Sequence, residues 1–321
     1  MKTARLGSFG PEMSVIGFGA WEAGGDMWGP NRSEDRVLEA IRAGLDAGMT
    51  WIDTAEVYGD GTSEELVARA IQGRREEIVL ATKVAPRPSG SGFRPEQVQD
   101  ACRGSLKRLS TDWIDLYQLH WPDDTGVPLE DTWGAMAGLV DEGLVRHIGM
   151  SNYGREDIER CLGIRHVDSL QPQFSMLHLD HRELIKWCGE QGVGVVAYGP
   201  LAFGLLTGAI DHTTTFVKGD WRRGDMDMDA YDEMFAPGKL ERSLAVVDAM
   251  RPIAERLGCS TAELALAWTF HQPGVTSAIA GSRNPDHVRD NARAGDISLD
   301  QDRLDDLEGL IELGPAFAEQ E

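Results

Sequence analysis

Four polar residues sit at the ends of successive strand-like segments of this chain. Asp53 and Tyr58 lie in W-I-D-T-A-E-V-Y-G (51–59), Lys83 closes I-V-L-A-T-K (78–83), and His120 closes W-I-D-L-Y-Q-L-H (113–120). A phenol, an amine, a carboxylate and an imidazole brought to one point can move a proton to or from a carbonyl oxygen. A free phenol, with a pKa of ~10, is too weak an acid at neutral pH. An ammonium beside it favours the phenolate and lowers that value. A lysine buried at a strand end keeps its charge only if a carboxylate balances it, which is the place for Asp53. Tyr58 then becomes the proton donor, and His120 can hydrogen-bond the same oxygen.

These residues need a scaffold that collects strand ends on one face. Eight short, near-continuously apolar runs recur along the chain, at 15–19, 50–55, 78–83, 113–120, 146–151, 168–174, 194–199 and 276–282. Such runs are the pattern of strands buried on both faces. Helical patterns fall between them, at 34–48, 63–73, 94–109, 130–143, 155–163, 181–192, 240–258 and 284–295. Val37, Leu38, Ile41 and Leu45 share one face of the first, which stops at Gly48; Ser63 is the expected N-cap of the second and Gly73 its stop. Eight strand–helix alternations predict a (β/α)₈ TIM barrel in a single domain over residues 1–321. A doubly wound open sheet is the alternative, but the glycine fingerprint G-x-G-x-x-G of its first turn is absent. Residues 1–11 are expected to form an N-terminal hairpin closing the barrel floor. The long stretch 209–239 follows the seventh strand and is expected to hang over the opposite face.

In such a barrel chemistry gathers at the C-terminal ends of the strands. Those ends carry Trp21, Asp53 with Tyr58, Lys83, His120, Ser151 with Asn152, Gln171, Tyr198, and Gly281-Ser282-Arg283. The bulk composition narrows the ligands. Of 321 residues, 31 are basic and 53 acidic, a net charge of −22 that disfavours nucleic acid and anionic membranes as partners. The four cysteines form no C-x-x-C pair and read as free thiols in a reducing compartment, with the cytoplasm as default. No apolar leader or membrane-length apolar run is visible. His178 and His181 have metal-like spacing without a third ligand nearby, so no metal is expected.

The motifs D-T-A-E-V-Y-G, A-T-K and L-H-W-P, in this order and spacing, resemble those of the aldo-keto reductases, and the resemblance runs along nearly the whole chain. It implies a (β/α)₈ barrel, a nicotinamide cofactor bound without a Rossmann fold, and reversible reduction of an aldehyde, ketone or sugar carbonyl. It assigns the catalytic tetrad to Asp53, Tyr58, Lys83 and His120. Ser151, Asn152 and Gln171 match the positions that bind the nicotinamide carboxamide, and Tyr198 the aromatic stacked beneath the ring. Leu201, Gly204, Leu206 and Gly208 match the pyrophosphate loop, where small residues admit phosphates to backbone N–H groups. Gly281, Ser282, Arg283, His287 and Asn291 match the adenosine-phosphate site. His287 stands where the family often has Gln, and Asp290 where it often has Glu. Gly281–Arg283 meet a helix N-terminus, a natural anion site. Arg283 there can pair with a 2′-phosphate, which points to NADP(H) over NAD.

Trp21, Trp28, Trp121, Phe203 and Trp221 come from loops that would rim a substrate pocket, with Trp21 and Trp121 the foremost candidates. Lys218, Arg222 and Arg223 lie in the long loop and can clamp a cofactor or a charged substrate. Two alternatives share the same fold. One is a cofactor-binding regulatory protein, as the potassium-channel beta subunits are. The other is an NAD-dependent sugar or alcohol dehydrogenase. No heptad or apolar edge strand marks an oligomer.

Overall fold

The computed structural model describes residues 1–25, 27–30, 33–86, 92–224, 226, 233–236 and 238–314. Eight parallel strands close into a barrel. In chain order they are β3 (Ile16–Gly19), β4 (Trp51–Asp53), β5 (Val79–Val84), β6 (Ile114–Leu119), β7 (Val145–Ser151), β8 (Ser169–Gln171), β9 (Gly194–Ala197) and β10 (Val275–Ile279), with β10 pairing back onto β3. They are the eight apolar runs, and their residues are almost all buried because helices cover the outside and neighbouring strands fill the inside.

The expected hairpin is present but longer than 1–11. β1 (Thr3–Arg5) pairs antiparallel with β2 (Glu12–Ser14), Ala4 opposite Met13. Leu6 and Met13, both fully buried, pack with Trp51, Ala81, Leu116 and Val196 and so plug the barrel floor. Because side chains alternate along a strand, the floor residues Trp51, Ala81 and Leu116 fix what faces inward further up. Two residues beyond Trp51 is Asp53, two beyond Ala81 is Lys83, and four beyond Leu116 is His120. One periodicity therefore carries the apolar floor into a polar mouth.

Trp51 also occupies the space that Gly17 leaves empty. A Cβ at Gly17 would lie 2.0 Å from the indole ring. The ring is tied by Trp51 Nε1 donating to Ser14 O (3.1 Å) and Ser277 Oγ (3.0 Å), so it cannot swing away. Gly17→Ala is expected to destabilise the fold by about 1–3 kcal/mol, the usual cost of overpacking. A lower urea midpoint at unchanged slope checks this; an unchanged midpoint would mean that the floor accommodates the methyl group.

The barrel is wrapped by α1 (Glu34–Asp46), α2 (Thr62–Ala70), α3 (Pro95–Leu109), α4 (Leu129–Asp141), α5 (Arg155–Leu162), α6 (Arg182–Glu190), α7 (Lys239–Leu257), α8 (Thr261–Phe270), α9 (Pro285–Arg293) and α10 (Gln301–Ile311). Two of these, α8 and α10, lie outside the eight expected helical patterns. α8 has no polar face: Leu264, Ala265, Leu266, Ala267 and Trp268 are all fully buried, so no 3.6-residue stripe marks it. Its Ser260–Glu263 capping box was the available signal. α10 announces itself only by Leu304, Leu307, Leu310 and Ile311 in an otherwise acidic stretch. The tail of the expected single domain, residues 315–321, lies outside the described residues. Among the described residues no helix is long and apolar enough to cross a membrane.

Candidate active site

At the barrel mouth Lys83, fully buried, places its ammonium among three acceptors. Nζ donates to Asp53 Oδ2 at 2.6 Å, to Thr54 O at 2.9 Å and to Tyr58 Oη at 3.2 Å. Burial pushes the Lys83 amine down, and the Asp53 carboxylate opposes that shift. Asp53 Oδ1 in turn accepts a hydrogen bond from Gln171 Nε2 at 2.8 Å, so both carboxylate oxygens are engaged.

Tyr58 reaches Lys83 from the turn between β4 and α2. Gly59 (φ +61°) and Gly24 let two backbones touch there: a Cβ on Gly59 would lie 2.3 Å from Gly24 O. Ser63 is a second fastener, and here the sequence expectation is corrected. The N-cap of α2 is Gly61, not Ser63. The buried Ser63 hydroxyl instead donates to Ala20 O (2.7 Å) and meets Thr54 Oγ1 (2.8 Å), linking the exits of β3 and β4. Its helical position is the first turn, but the two loops offer it better partners than its own helix does.

The His120 ring lies edge-on to Tyr58, with centroids 5.5 Å apart. Burial first, and the Lys83 charge second, hold its pKa well below the ordinary imidazole value. Among the described residues Nδ1 is buried without a partner, which leaves Nε2 as the nitrogen able to donate to a ligand. The neighbouring residues are locked by a hydrogen-bond chain. Tyr198 Oη donates to Asn152 Oδ1 (2.9 Å), Asn152 Nδ2 donates to His120 O (3.1 Å) and to Ser151 Oγ (3.2 Å), and Ser151 Oγ donates to Gln171 O (2.9 Å). Asn152 holds a left-handed backbone (φ +64°) to do so. Thus the residues expected at strand ends do converge. What sequence reasoning missed is that Gln171 and Asn152 are also bonded to the protein itself, Gln171 to Asp53 across 118 residues.

The loop after β9 turns sharply. Phe203 (φ +54°) and Gly204 (φ +107°) interrupt the short 3₁₀ turn Ala202–Thr207, and Gly208 (φ +74°) ends it. Leu206 is fully buried and Leu201 half-buried, so any ligand contact from Leu206 falls to its backbone. Opposite β3, Gly281 leaves no room for a side chain, since a Cβ would lie 1.9 Å from Gly19 O. Ser282 Oγ accepts from Asn284 N (3.1 Å), and Asn284 caps α9. On α9, His287 is exposed and Asn291 buried. Arg283 has a partner that sequence reasoning did not supply, the Glu22 carboxylate, at 3.5 Å from its Nε. An acidic residue directly after Trp21, at the end of the first strand, was the signal for it.

An aromatic wall closes the mouth. Trp21 packs on Trp28 (4.9 Å between centroids), Trp221 (6.3 Å, stacked), Phe203 (6.1 Å) and Tyr58 (6.4 Å). Trp221 and Trp28 are buried, whereas Trp121, against His120 at 4.6 Å, is 38% exposed. The long loop builds part of this wall. Trp221 N donates to Met27 O and Gly29 N to Gly219 O, so residues 219–221 lie along 27–29, beside the Tyr58 side of the mouth. Residues 225, 227–232 and 237 of the same loop lie outside the described residues. Of its cations, Lys218 and Arg223 are exposed, while Arg222 is held by both oxygens of the buried Asp220 (2.9 and 2.7 Å) and by Phe203 O (3.1 Å). His178 and His181 pack edge to face at 5.9 Å, and among the described residues no three metal-ligating side chains cluster.

A phenol that shares hydrogen with a lysine, a neutral imidazole beside it and an apolar aromatic rim can pass a proton to an oxygen bound between Tyr58 and His120. The comparisons bear on what that oxygen belongs to. Residues 15–312 match the sequence model of the Aldo/keto reductase family. The aldo-keto reductase YhdN of Bacillus subtilis is 34% identical over 331 aligned positions, covering 99% of this chain and 97% of that one. Among solved structures, the glycerol dehydrogenase AKR11B4 of Gluconobacter oxydans superposes with a TM-score of 0.85 at 30% identity, covering 97% and 95% of the two chains. An aldo/keto reductase of Klebsiella pneumoniae in complex with NADP and acetate gives 0.74 at 32% identity, covering 98% and 97%.

Proposed function

Because the chain belongs to the aldo/keto reductase family and is thereby an oxidoreductase, we propose that it reduces small aldehydes, ketones or sugar carbonyls with NADP(H). The observation that carries this reading is the Asp53–Lys83–Tyr58 hydrogen-bond chain ending beside His120. A bound nicotinamide supplies the hydride. Tyr58 gives its proton to the carbonyl oxygen, and Lys83 stabilises the phenolate left behind. Asp53 keeps Lys83 cationic despite its burial, and Gln171 keeps Asp53 facing Lys83. His120, neutral, hydrogen-bonds the same oxygen and orients it toward Tyr58.

The residues around the mouth fit a phosphorylated dinucleotide. Gly204 and Gly208 hold left-handed turns in the loop after β9, their own N–H groups donating to Leu201 O (3.1 Å) and Leu205 O (3.5 Å), and among the described residues Arg283 Nη1 is buried with no hydrogen-bond partner. The relatives crystallised with NADP and NADPH support the same cofactor. Tyr198, Ser151, Asn152 and Gln171 are the residues we assign to the nicotinamide end, and Ser282, Arg283 and Asn291 to the adenosine end. Trp21 and Trp121 are the substrate-facing aromatics. We read the chain as one barrel domain working in the cytoplasm, in keeping with its four unpaired cysteines.

The test is NADPH consumption by the purified protein with a reactive aromatic aldehyde. Turnover supports a reductase; bound NADPH without turnover on any carbonyl would instead favour a cofactor-binding regulatory protein. The state of His120 adds a pH expectation. Its depressed pKa keeps the ring neutral throughout the neutral range, so kcat/KM is expected to show no acid limb near pH ~6.5. A limb there that disappears in His120→Asn would mean that the imidazolium is the working form.

A further inference from the structure

The place where a 2′-phosphate would meet Arg283 already holds a carboxylate of the protein's own. Glu22 lies in the 3₁₀ turn Trp21–Gly24, directly after β3. Its Oε2 is 3.5 Å from Arg283 Nε, and it also hydrogen-bonds with the backbone of Arg283. Arg283 Nη2 donates to Trp28 O at 2.8 Å, while Nη1 is buried without a partner among the described residues. Both side chains are about three-quarters covered, at 25% and 26% exposure. Among the described residues, the charged groups facing Glu22 are Arg283 and Arg222, which attract it, and Asp220, which repels it.

A guanidinium and a main-chain N–H just before a capped helix make an anion site, and Glu22 fills it incompletely. Its carboxylate meets Arg283 at a long 3.5 Å and leaves Nη1 unsatisfied. Burial pushes the Glu22 carboxyl up in spite of both arginines, so the ion pair does not make good what the carboxylate lost in leaving water. A phosphate, with three oxygens and more charge, satisfies this arginine better. We propose that Glu22 is a built-in competitor for the 2′-phosphate of the cofactor. It holds Arg283 in the ligand-free protein, must release it when a 2′-phosphate arrives, and so sets how strongly NADP(H) is preferred over NAD(H). This rests on the reading that Arg283 takes that phosphate. Glu22 is thus a specificity-determining residue that touches no reacting atom.

The experiment is calorimetric titration of NADP⁺ and NAD⁺ into the wild type, Glu22→Gln, Glu22→Ala, Arg283→Ala and the Glu22→Gln/Arg283→Ala double variant. Both Glu22 variants are expected to tighten NADP⁺ about tenfold, an ordinary coupling between neighbouring sites, and NAD⁺ much less. Arg283→Ala is expected to erase the preference for NADP⁺, and Glu22→Gln to add nothing to NADP⁺ selectivity in that background. If Arg283→Ala erases the preference but neither Glu22 variant moves the NADP⁺ Kd by more than about twofold, the competitor role is overturned while the arginine's role stands. Equal tightening of NADP⁺ and NAD⁺ also overturns it, since Glu22 would then merely repel the phosphates that both cofactors share. If Arg283→Ala leaves the preference intact, the arginine reading fails and the competitor role falls with it. Thermal melts of each variant confirm that folded protein was titrated.

Discussion

Replacing Tyr58 with phenylalanine is expected to lower kcat for carbonyl reduction by about a thousandfold and to leave the Kd for NADPH nearly unchanged. The substitution removes one hydroxyl and little else. The ring keeps its neighbours Trp21 and His120, and Lys83 keeps Asp53 Oδ2 and Thr54 O as acceptors, so the ion pair and the fold survive. What disappears is the only group in the cluster suited to give up a proton. His120 is a poor substitute because burial and Lys83 hold its imidazole neutral. Lys83 is a poor one because Asp53 and Thr54 hold two of its three hydrogens and its nitrogen lies 3.2 Å behind the place of the lost hydroxyl, set back from the substrate oxygen. Single-turnover kinetics with NADPH separates the chemical step from cofactor binding. A variant that retained more than about a tenth of the wild-type chemical rate would show that the proton comes from elsewhere, since a placed general acid is worth at least a hundredfold.

The four residues of this cluster were legible in the sequence for a physical reason. Each interrupts, at or just past its end, an apolar run that only a doubly buried strand explains, and a polar side chain there needs a purpose. The barrel was legible by the same periodicity, since the eight runs became the eight strands. What stayed hidden depends on partners distant in sequence. Nothing local to Gln171 points to Asp53, nor does Arg283 announce Glu22, because those pairings exist only once β8 faces β4 across the barrel and β10 closes on β3. Ser63 misled because a serine at a helix start usually caps it, and here two neighbouring loop groups, Ala20 O and Thr54 Oγ1, offered stronger partners. α8 was hidden because burial on every side removes the stripe by which helices are recognised.

The second large effect separates stability from catalysis. Lys83→Met is expected to abolish measurable turnover and also to destabilise the fold by about 3–5 kcal/mol, the usual result of stripping one partner from a buried ion pair. Lys83 is fully buried and Asp53 nearly so, at 0% and 5% side-chain exposure, so water cannot take the lost partner's place. In the variant Asp53 keeps only the Gln171 hydrogen bond and must either stay charged in a dry site or take up a proton. That proton is one the unfolded chain does not need at neutral pH. The deficit is therefore largest near neutrality and shrinks in acid, where the unfolded carboxylates are protonated too. Adding Asp53→Asn to Lys83→Met removes the stranded charge. The double variant is expected to melt above the single Lys83→Met variant while remaining inactive, and urea denaturation at two pH values reads both effects. If Lys83→Met melts like the wild type, or the double variant melts below it, Asp53 does not serve chiefly to balance Lys83. The carboxylate would then owe its place to Gln171 and the strand ends it joins, and the charge on Lys83 would need another source.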